Sequence, residues 1–410
     1  MENKFKSMFS SLNYRNFRLL WIGGVISSTG DFLEIVALNW LIYELTGSAF
    51  YLGVFNLARS LPVLLFTLIA GAMADKYEQS RLMIYSQASA MALSGILAAL
   101  AFEGKLSVFP IILIGVLEGV ANSFNLPIRQ SLISELVPHE KIVNAVALNG
   151  ASLTLTLALG PALGGIVVGT LGVKYALLLN TASFIAILWA LFSMEIPRRK
   201  TKHEKSITQS LKESFAYVFG HKVIFPVVLF SFLMVAIGLP YITLLPVFAK
   251  DYFGMGASGY GYLFSIAGAG ALLGSLFSGV RSKENVKNAM ILSFIGFGLT
   301  LVLFGAAAFL MPHYTIIFIL LLIMLGFCMA TFNTTNNTIL QMQVSDAYRG
   351  RVLSTLFLGF GLTSLGSFIV GWIAELSGAH IAYIITGSMI LGLSIFLVYC
   401  TKEHRMHREL

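Results

Sequence analysis

The sequence predicts an all-α polytopic membrane protein with twelve transmembrane helices in two parallel six-helix halves. Its 410 residues are 57% hydrophobic and only 11% charged, with a mean hydropathy of +0.83, which is far too apolar for a soluble domain. Twelve apolar segments are each long enough to cross a bilayer core, which needs roughly 20 residues. The last six segments echo the first six at a constant spacing of 208 residues.

The twelve segments follow one another through mostly short connections. They cover residues 17–43, 51–71, 81–101, 107–128, 145–170, 173–194, 223–249, 258–280, 288–311, 314–336, 352–374 and 380–400. An even number of spans places both termini on one side. Of the 27 Lys and Arg residues, 23 lie on that side, three lie on the other, and Arg59 lies within a span. The positive-inside rule therefore predicts cytoplasmic termini and a multi-pass protein of the cell (inner) membrane.

One long polar stretch, residues 195–222, separates the two halves. It predicts an N-terminal six-helix bundle over 1–194 and a C-terminal bundle over 223–410. Within the stretch, apolar residues recur at helical spacing from Ile207 to Val218, which predicts an amphipathic helix on the cytoplasmic surface. A tether and a regulatory site are both open interpretations. Parallel repeats of this kind place the binding site at their interface, near the membrane midplane.

The first two spans carry three charged residues at one depth. Asp31, Glu34 and Arg59 all lie within roughly 6 Å of the midplane at 1.5 Å per residue. A charge there costs at least about 2.5–3.5 kcal/mol on insertion scales, so such residues are expected to be paired and are candidates for function. A purely structural ion pair is the alternative interpretation.

The fourth span adds a second polar stripe. One helical face carries Gly115, Glu118, Asn122, Asn125 and Arg129, as another carries Asp31 and Glu34 in the first span, and we expect both faces to line one cavity. If all three acids and Arg59 were ionised, the net charge would be minus two, so at least one acid is expected to be protonated part of the time. That favours proton carriage, a cationic substrate group, or competition between the two.

The second half offers neutral polar side chains for the same cavity. They are substrate contacts or interhelical hydrogen-bond partners, and the sequence leaves both interpretations open. The residues are Asn333, Asn336, Asn337 and Tyr241.

Two further motifs contain clustered small or charged residues. The loop after the second span runs from Gly71 through Asp75 and Lys76 to Arg81. The fifth span contains Gly160, Pro161, Gly164 and Gly165. The loop resembles the cytoplasmic signature of the major facilitator superfamily, although Glu78 replaces its second glycine. The glycine motif resembles an exporter signature, although Thr156 replaces its first glycine.

The resemblance covers nearly the whole chain and extends to the drug-antiporter branch that includes macrolide and siderophore exporters. It implies the major facilitator fold and a conformational latch in which Asp75 pairs with Arg81 or Arg129. A plain turn is the alternative for the latch. Close helix packing without any meaning for export is the alternative for the glycine motif.

Three functions are consistent with these observations. The first is a proton-coupled exporter of small drug-like or siderophore-like amphipathic molecules, working as a monomer. The second is an importer on the same fold, and the third is a non-transporting membrane scaffold or enzyme. Enzymatic signals are weak, because His139-Glu140 and His203-Glu204 lack the second histidine of a zinc helix and no phosphate-binding loop is present. We expect no cofactor, no metal and no nucleic-acid partner.

Overall fold

The structure, a computed structural model, describes residues 9–194, 216–279, 286–344 and 346–406. At some positions within the helices, Asp75 and Lys76 among them, it describes the backbone alone. Every element of regular secondary structure in the described ranges is helical.

The described chain forms twelve helices, α1 to α12, in the order that the hydropathy pattern predicts. They are α1 Arg15–Thr46, α2 Ala49–Lys76, α3 Gln79–Phe102, α4 Val108–Asn122 continued by Asn125–Glu135, α5 Ile142–Leu171, α6 Val173–Ser193, α7 Ile224–Tyr252, α8 Ala257–Gly279, α9 Val286–Leu310, α10 Thr315–Gln343, α11 Asp346–Ser377 and α12 Ala379–Met406. Among the described residues, eleven of these helices are long and apolar enough to cross a membrane; for α11 only the shorter Gly361–Ser377 qualifies as apolar. The predicted all-α polytopic fold is confirmed.

Glycines separate some successive helices where the backbone reverses. Gly172, between α5 and α6, has a φ of 94°, and Gly378, between α11 and α12, has a φ of 95°. Residues with a side chain rarely adopt these angles, whereas glycine adopts them without steric cost. The chain therefore turns within a single residue at these two places.

The seventh helix is irregular. It passes from α-helix into a π-helical turn at Met234–Gly238 and a 3-10 turn at Leu239–Leu244. Pro240 and Pro246 lie in or directly after these turns, and neither can donate a backbone hydrogen bond within a regular helix. The sequence predicts the span but not this change of helix type.

The chain folds into two compact units. Unit 1 comprises Met1–Leu45, Ala58–Glu204 and Gly256–Ser265, and unit 2 comprises Thr46–Leu57, Lys205–Met255 and Ile266–Leu410. Each unit follows one half of the sequence except for one short segment from the other half. The predicted linker covers residues 195–222, of which 195–215 lie outside the described part of the chain. Its amphipathic helix and the domain boundaries therefore stay predictions.

Unit 1 buries its apolar side chains mainly between α1, α3, α4, α5 and α6. Phe17, Met83 and Phe184 belong to one buried cluster together with Ile128 and Leu132 from the second segment of α4. Because these side chains come from four helices, their burial fixes the positions of α1, α3, α4 and α6 relative to one another.

Unit 2 is built on aromatic packing. Phe248 of α7, Phe304 of α9 and Tyr383 of α12 form a group with ring centroids 4.6–5.2 Å apart, and Phe318 of α10 joins it 5.1 Å from Phe304. Aromatic pairs at such distances contribute about 0.5–1.5 kcal/mol beyond the burial of their area.

Helices α8 and α10 of unit 2 pack through glycine. A Cβ at Gly326 would overlap the backbone oxygen of Ala267, and a Cβ at Gly270 would overlap the backbone oxygen of Ile323. The two helices therefore approach at backbone distance, as small residues allow in membrane helix pairs.

This close approach yields a first prediction. Gly326→Ala should lower the thermal stability of the purified protein, because α8 and α10 must move apart, and overpacking typically costs about 1–3 kcal/mol. Gly392→Ala in α12 is the matched control, since a Cβ there meets no atom within 4 Å. Thermal denaturation in detergent measures both variants, and equal melting temperatures would contradict the described packing.

Candidate functional site

A buried arginine of α2 lies at the centre of the candidate site in unit 1. Arg59 Nη2 is 3.2 Å from Glu34 Oε1 in α1 and 3.8 Å from Glu118 Oε2 in α4. The side chains of Glu34 and Glu118 are 1% and 3% exposed, and that of Arg59 is 14% exposed. Because an unpaired charge is costly in the membrane interior, the two carboxyl groups make the arginine tolerable there.

Glycines beside the charged residues let the helices come close enough for these interactions. A Cβ at Gly119 of α4 would overlap the backbone oxygen of Arg59. A Cβ at Gly30 of α1 would overlap the Ser183 hydroxyl of α6. Glu118 therefore reaches Arg59 because the next residue has no side chain, and α1 lies against α6 for the same reason.

The second carboxyl oxygen of Glu34 is held by two helices that we did not predict to contribute. Ser94 Oγ of α3 donates to Glu34 Oε2 at 2.8 Å, and Asn180 Nδ2 of α6 donates to it at 2.6 Å. Thr181 Oγ1 donates to Ser94 Oγ at 3.2 Å. The signal available in the sequence was Asn180, which adjoins Thr181 and Ser183 in a largely apolar span.

Glu118 is less well satisfied than Glu34. Its buried Oε2 has no hydrogen-bond partner in the described part of the chain, and neither has Arg59 Nη1. Its interaction with Arg59 is an ion pair at 3.8 Å, which is too long for a hydrogen bond. The two glutamates around one arginine thus occupy different environments.

Asp31 lies on α1 less than one turn before Glu34, but it has a different exposure. Its side chain is half-buried, and it forms no ion pair within 4.0 Å in the described ranges. It interacts electrostatically with both Arg59 and Arg129. Asp31 is therefore a half-buried acid without a salt bridge within 4.0 Å in the described ranges.

Arg129, which we predicted to belong to the cytoplasmic latch, lies against α1. It is 8% exposed, and a Cβ at Gly24 would overlap its Nη2. Its Nε atom has no hydrogen-bond partner among the described residues. With Arg129 included, three acids and two arginines give a formal charge of minus one if all are ionised, and not the minus two expected from the sequence.

The remaining polar residues of α4 lie where the helix is interrupted. Asn122 ends its first segment and Asn125 begins its second, and both side chains are half-buried. They stay candidates for lining a cavity. In unit 2, Asn333 and Asn337 are exposed on one face of α10, which is compatible with the same role.

Two of the neutral polar residues of unit 2 are part of its packed interior, as the interpretation of interhelical hydrogen-bond partners allows. Asn336 Nδ2 donates to the Val227 oxygen at 2.8 Å, and its Oδ1 accepts from Ser231 Oγ at 2.8 Å. Asn336 therefore links α10 to α7 by hydrogen bonds. A step of one residue turns a helix by about 100°, so Asn336 is buried although its neighbour Asn337 is exposed.

Tyr241 is also part of the packed interior of unit 2. It is 5% exposed, with its ring 5.9 Å from that of Phe297, and its backbone oxygen accepts from the Tyr383 hydroxyl at 2.7 Å. The 3-10 turn of α7 places Tyr241 among these aromatic rings. A regular helix, which the sequence led us to assume, would orient this residue differently.

The predicted latch is described only in part. Arg81 Nε pairs with Glu78 Oε2 at 2.9 Å, and Gln79 Nε2 donates to Ser131 Oγ at 2.7 Å. Gly71 has open space where a Cβ would lie. The side chains of Asp75 and Lys76 lie outside the described part, so the pairing of Asp75 stays a prediction.

The glycine motif of α5 packs against two other helices of unit 1. A Cβ at Gly160 would lie 2.7 Å from Phe32 Cβ in α1, and one at Gly164 would lie 3.1 Å from Val36 Cβ. A Cβ at Gly165 would lie 2.7 Å from the Cα of Gly261 in α8. Pro161, between them, lies inside the helix. The motif is a close-packing surface in the structure.

The chemistry available to this cluster is electrostatic and acid–base. It offers carboxyl groups that can bind and release protons and, at Asp31, an accessible negative charge. In the described ranges, no group of three or more His, Cys, Asp or Glu side chains is arranged to hold a metal ion.

Comparison with known proteins gives consistent results along the whole chain. The family described as transmembrane secretion effector matches residues 6–409. The staphyloferrin A transporter of Staphylococcus aureus is 26% identical over 93% of this chain and 95% of its own length. Macrolide efflux protein A of Streptococcus pyogenes is 21% identical over 93% of this chain and 96% of its own length.

Solved structures show the same fold at low sequence identity. The crystal structure of the nucleoside transporter NupG superposes with a TM-score of 0.72 at 15% identity, covering 94% of this chain and 99% of that one. At this identity the likeness concerns the fold alone.

The geometry around Arg59 yields a second prediction. Arg59→Ala should destabilise the protein by about 3–5 kcal/mol, because it leaves buried carboxyl groups without their cation. Adding Glu34→Gln should recover more of this loss than adding Asp31→Asn, since Glu34 forms the 3.2 Å pair and Asp31 forms none within 4.0 Å in the described ranges. Thermal denaturation of the single and double variants measures the difference, and a larger recovery with Asp31→Asn would contradict the assigned pair.

Proposed function

Because the chain belongs to the transmembrane secretion effectors of the major facilitator superfamily, which are membrane transporters and not enzymes, we propose that it is a proton-coupled exporter. Its substrates would be small amphipathic molecules, drug-like or siderophore-like, moved by alternating access. The observation that carries the proposal is the cluster of Arg59 with Glu34 and Glu118, buried at mid-depth in three membrane helices. Intramembrane acids of this kind mark ion and proton pathways in transporters.

Proton coupling is supported by the excess of acids over cations in the cluster. Glu34 and Glu118 both pair with the guanidinium of Arg59, and Asp31 lies on the same helix as Glu34. Two carboxylates in one low-dielectric site disfavour each other's ionised form, so a proton is readily held there. A site that alternates between binding and releasing a proton can draw on a pH gradient.

The relatives support export, and the half-buried Asp31 supports a cationic group on the substrate. The staphyloferrin A transporter and macrolide efflux protein A match nearly the full length of the chain, and their names describe a siderophore transporter and a drug efflux protein. Asp31 would attract a cationic group of an amphipathic substrate, because it is partly exposed and lacks a close ion pair in the described ranges. Substrate and proton would then compete for one cluster of charges.

We further propose that the segment from Gly71 to Arg81, with Arg129, biases the conformational equilibrium on the cytoplasmic side. Both termini would be cytoplasmic, as the distribution of Lys and Arg predicts. An acid such as Asp75 at a helix end can pair with a cation in one packing of the bundles and lose that pair in another. The transporter would act as a monomer in the cell membrane.

A flux assay tests the transport proposal. Purified protein in proteoliposomes with an imposed pH gradient should accumulate at least one compound of a mixed drug and siderophore panel, in the direction opposite to proton flow. Nigericin, which collapses the gradient, should abolish the accumulation, and protein-free liposomes provide the background. Accumulation in the direction of proton flow would replace export by import, and absence of movement for every compound would contradict the proposed substrate class.

Substitution of Asp75 tests the latch. Asp75→Ala should leave the protein folded and inserted but slow the flux, because the latch biases conformations without binding the substrate. Thiol labelling of one cysteine in each vestibule, with Cys328 and Cys400 replaced, measures the conformational bias. Glu103→Ala is the matched control, since Glu103 is an exposed loop acid paired with Lys105. Normal flux with unchanged labelling in Asp75→Ala would remove the latch from the proposal.

A further inference from the structure

We infer that Glu118 is the residue that binds and releases the coupled proton, and that Glu34 is a positioning residue that holds Arg59 in place. The inference rests on the proposed proton-coupled transport. It separates two glutamates that interact with the same guanidinium and that the sequence alone treats as equivalent.

Both carboxyl oxygens of Glu34 have partners in the structure. Its Oε1 accepts the 3.2 Å ion pair from Arg59, while Oε2 accepts from Ser94 at 2.8 Å and from Asn180 at 2.6 Å. Hydrogen bonds to an ionised acceptor are roughly twice as strong as those between neutral groups. Adding a proton to either oxygen would weaken at least one of these interactions, and the donors would be left buried.

Glu118 has the opposite environment. Its side chain is 3% exposed, its Oε2 has no hydrogen-bond partner in the described chain, and its distance to Arg59 is 3.8 Å. A buried carboxylate with an unsatisfied oxygen is costly, whereas a neutral carboxylic acid at the same place is much less so. Protonation therefore loses less at Glu118, whose ion pair with Arg59 is 3.8 Å long, than at Glu34, whose oxygens accept a 3.2 Å ion pair and two hydrogen bonds.

The charged groups that act on Glu118 come from two helices. Arg59 of α2 lies 3.8 Å from Glu118, and Glu34 and Asp31 of α1 are the like-charged groups that interact with it, Glu34 also through a side-chain hydrogen bond. Asp31 differs from Glu118 in that it is half-buried and has no ion pair within 4.0 Å in the described ranges. Its protonation would therefore break no salt bridge there. Protonation of Glu118 would instead remove one of the two carboxylates that hold Arg59.

The step itself is a simple proton transfer. A hydronium ion transfers a proton to the Glu118 carboxylate and leaves a water molecule, and the carboxyl group goes from minus one to neutral. Arg59 then has Glu34 as its remaining close carboxylate. Release of the proton to water restores the second ion pair, so each cycle alternately loosens and tightens the link between α2 and α4 while the link between α1 and α2 persists.

Infrared difference spectroscopy tests the assignment without any substrate. Spectra of the full-length protein in liposomes, recorded across a pH series, should show the C=O band of a buried protonated carboxyl group that appears as the pH falls. Glu118→Gln should remove this band, whereas Glu34→Gln and Asp31→Asn should retain it. Glu118→Asp, which keeps a carboxyl group, should show the band at a changed pH midpoint and thereby separates loss of the acid from loss of the fold.

Transport of ethidium, a fluorescent amphipathic cation, provides the second readout. Glu118→Gln should lose the roughly tenfold accumulation that a gradient of about one pH unit supports per exchanged proton, while downhill movement of ethidium remains measurable. Glu103→Gln, an exposed acid outside the site, is the control that should behave as the wild type.

The two readouts distinguish failure of the inference from failure of the proposed function. A titrating band that persists in Glu118→Gln, or that disappears in Glu34→Gln or Asp31→Asn, overturns the assignment to Glu118. So does full accumulation of ethidium by Glu118→Gln. If the wild-type protein accumulates no ethidium under the gradient, the proposed function fails for this probe, and the infrared band still decides which acid takes the proton.

Discussion

The ion pairs of Arg59 are the interaction on which the interior of unit 1 depends. A guanidinium at mid-depth in a membrane helix must be neutralised by neighbours, since isolated charges there are costly. Glu34 and Glu118 supply the opposite charge, which requires α1 and α4 to lie within side-chain reach of α2. Gly119 permits that approach, and the donors to Glu34 extend the same constraint to α3 and α6. One cation thus restrains five helices.

Three carboxyl groups at nearly the same depth have three different environments. Both oxygens of Glu34 have partners, Glu118 is buried with one oxygen that accepts no hydrogen bond, and Asp31 is half-buried without an ion pair in the described ranges. Because burial, nearby charge and hydrogen bonding each bias a carboxyl group separately, chemically similar side chains can take different roles. A structural anchor, a proton site and a binding group for a cationic substrate can therefore lie within one cluster.

The sequence was sufficient for the fold, but not for the pairing of the charges. Hydropathy determines where Arg59 and Glu34 lie along the membrane normal, since the rise per residue in a helix is fixed. It contains no information about which helix faces which, so Ser94 and Asn180 were missed although they bind Glu34 directly. Tyr241 was misplaced because the irregular turns of α7 rotate it into the aromatic interior, and periodicity assumes a regular helix.

Each unit contains one short segment from the other half of the sequence, Gly256–Ser265 in unit 1 and Thr46–Leu57 in unit 2. The packing of these segments differs from that of the charged cluster. In unit 1, a Cβ at Gly165 would lie 2.7 Å from the Cα of Gly261, and in unit 2, a Cβ at Gly371 would lie 3.0 Å from the Cα of Gly53. Packing of this kind joins backbones through small residues, and the carboxylate beside it, Glu375, is exposed and accepts from Ser48 and from the Phe50 backbone N–H. Opening the Arg59 cluster would leave buried charges without partners, which is strongly destabilising. The proposed alternating access requires some helix pairs that separate at low cost and others that stay together. The glycine packing has the properties of the first kind, and the Arg59 cluster has those of the second.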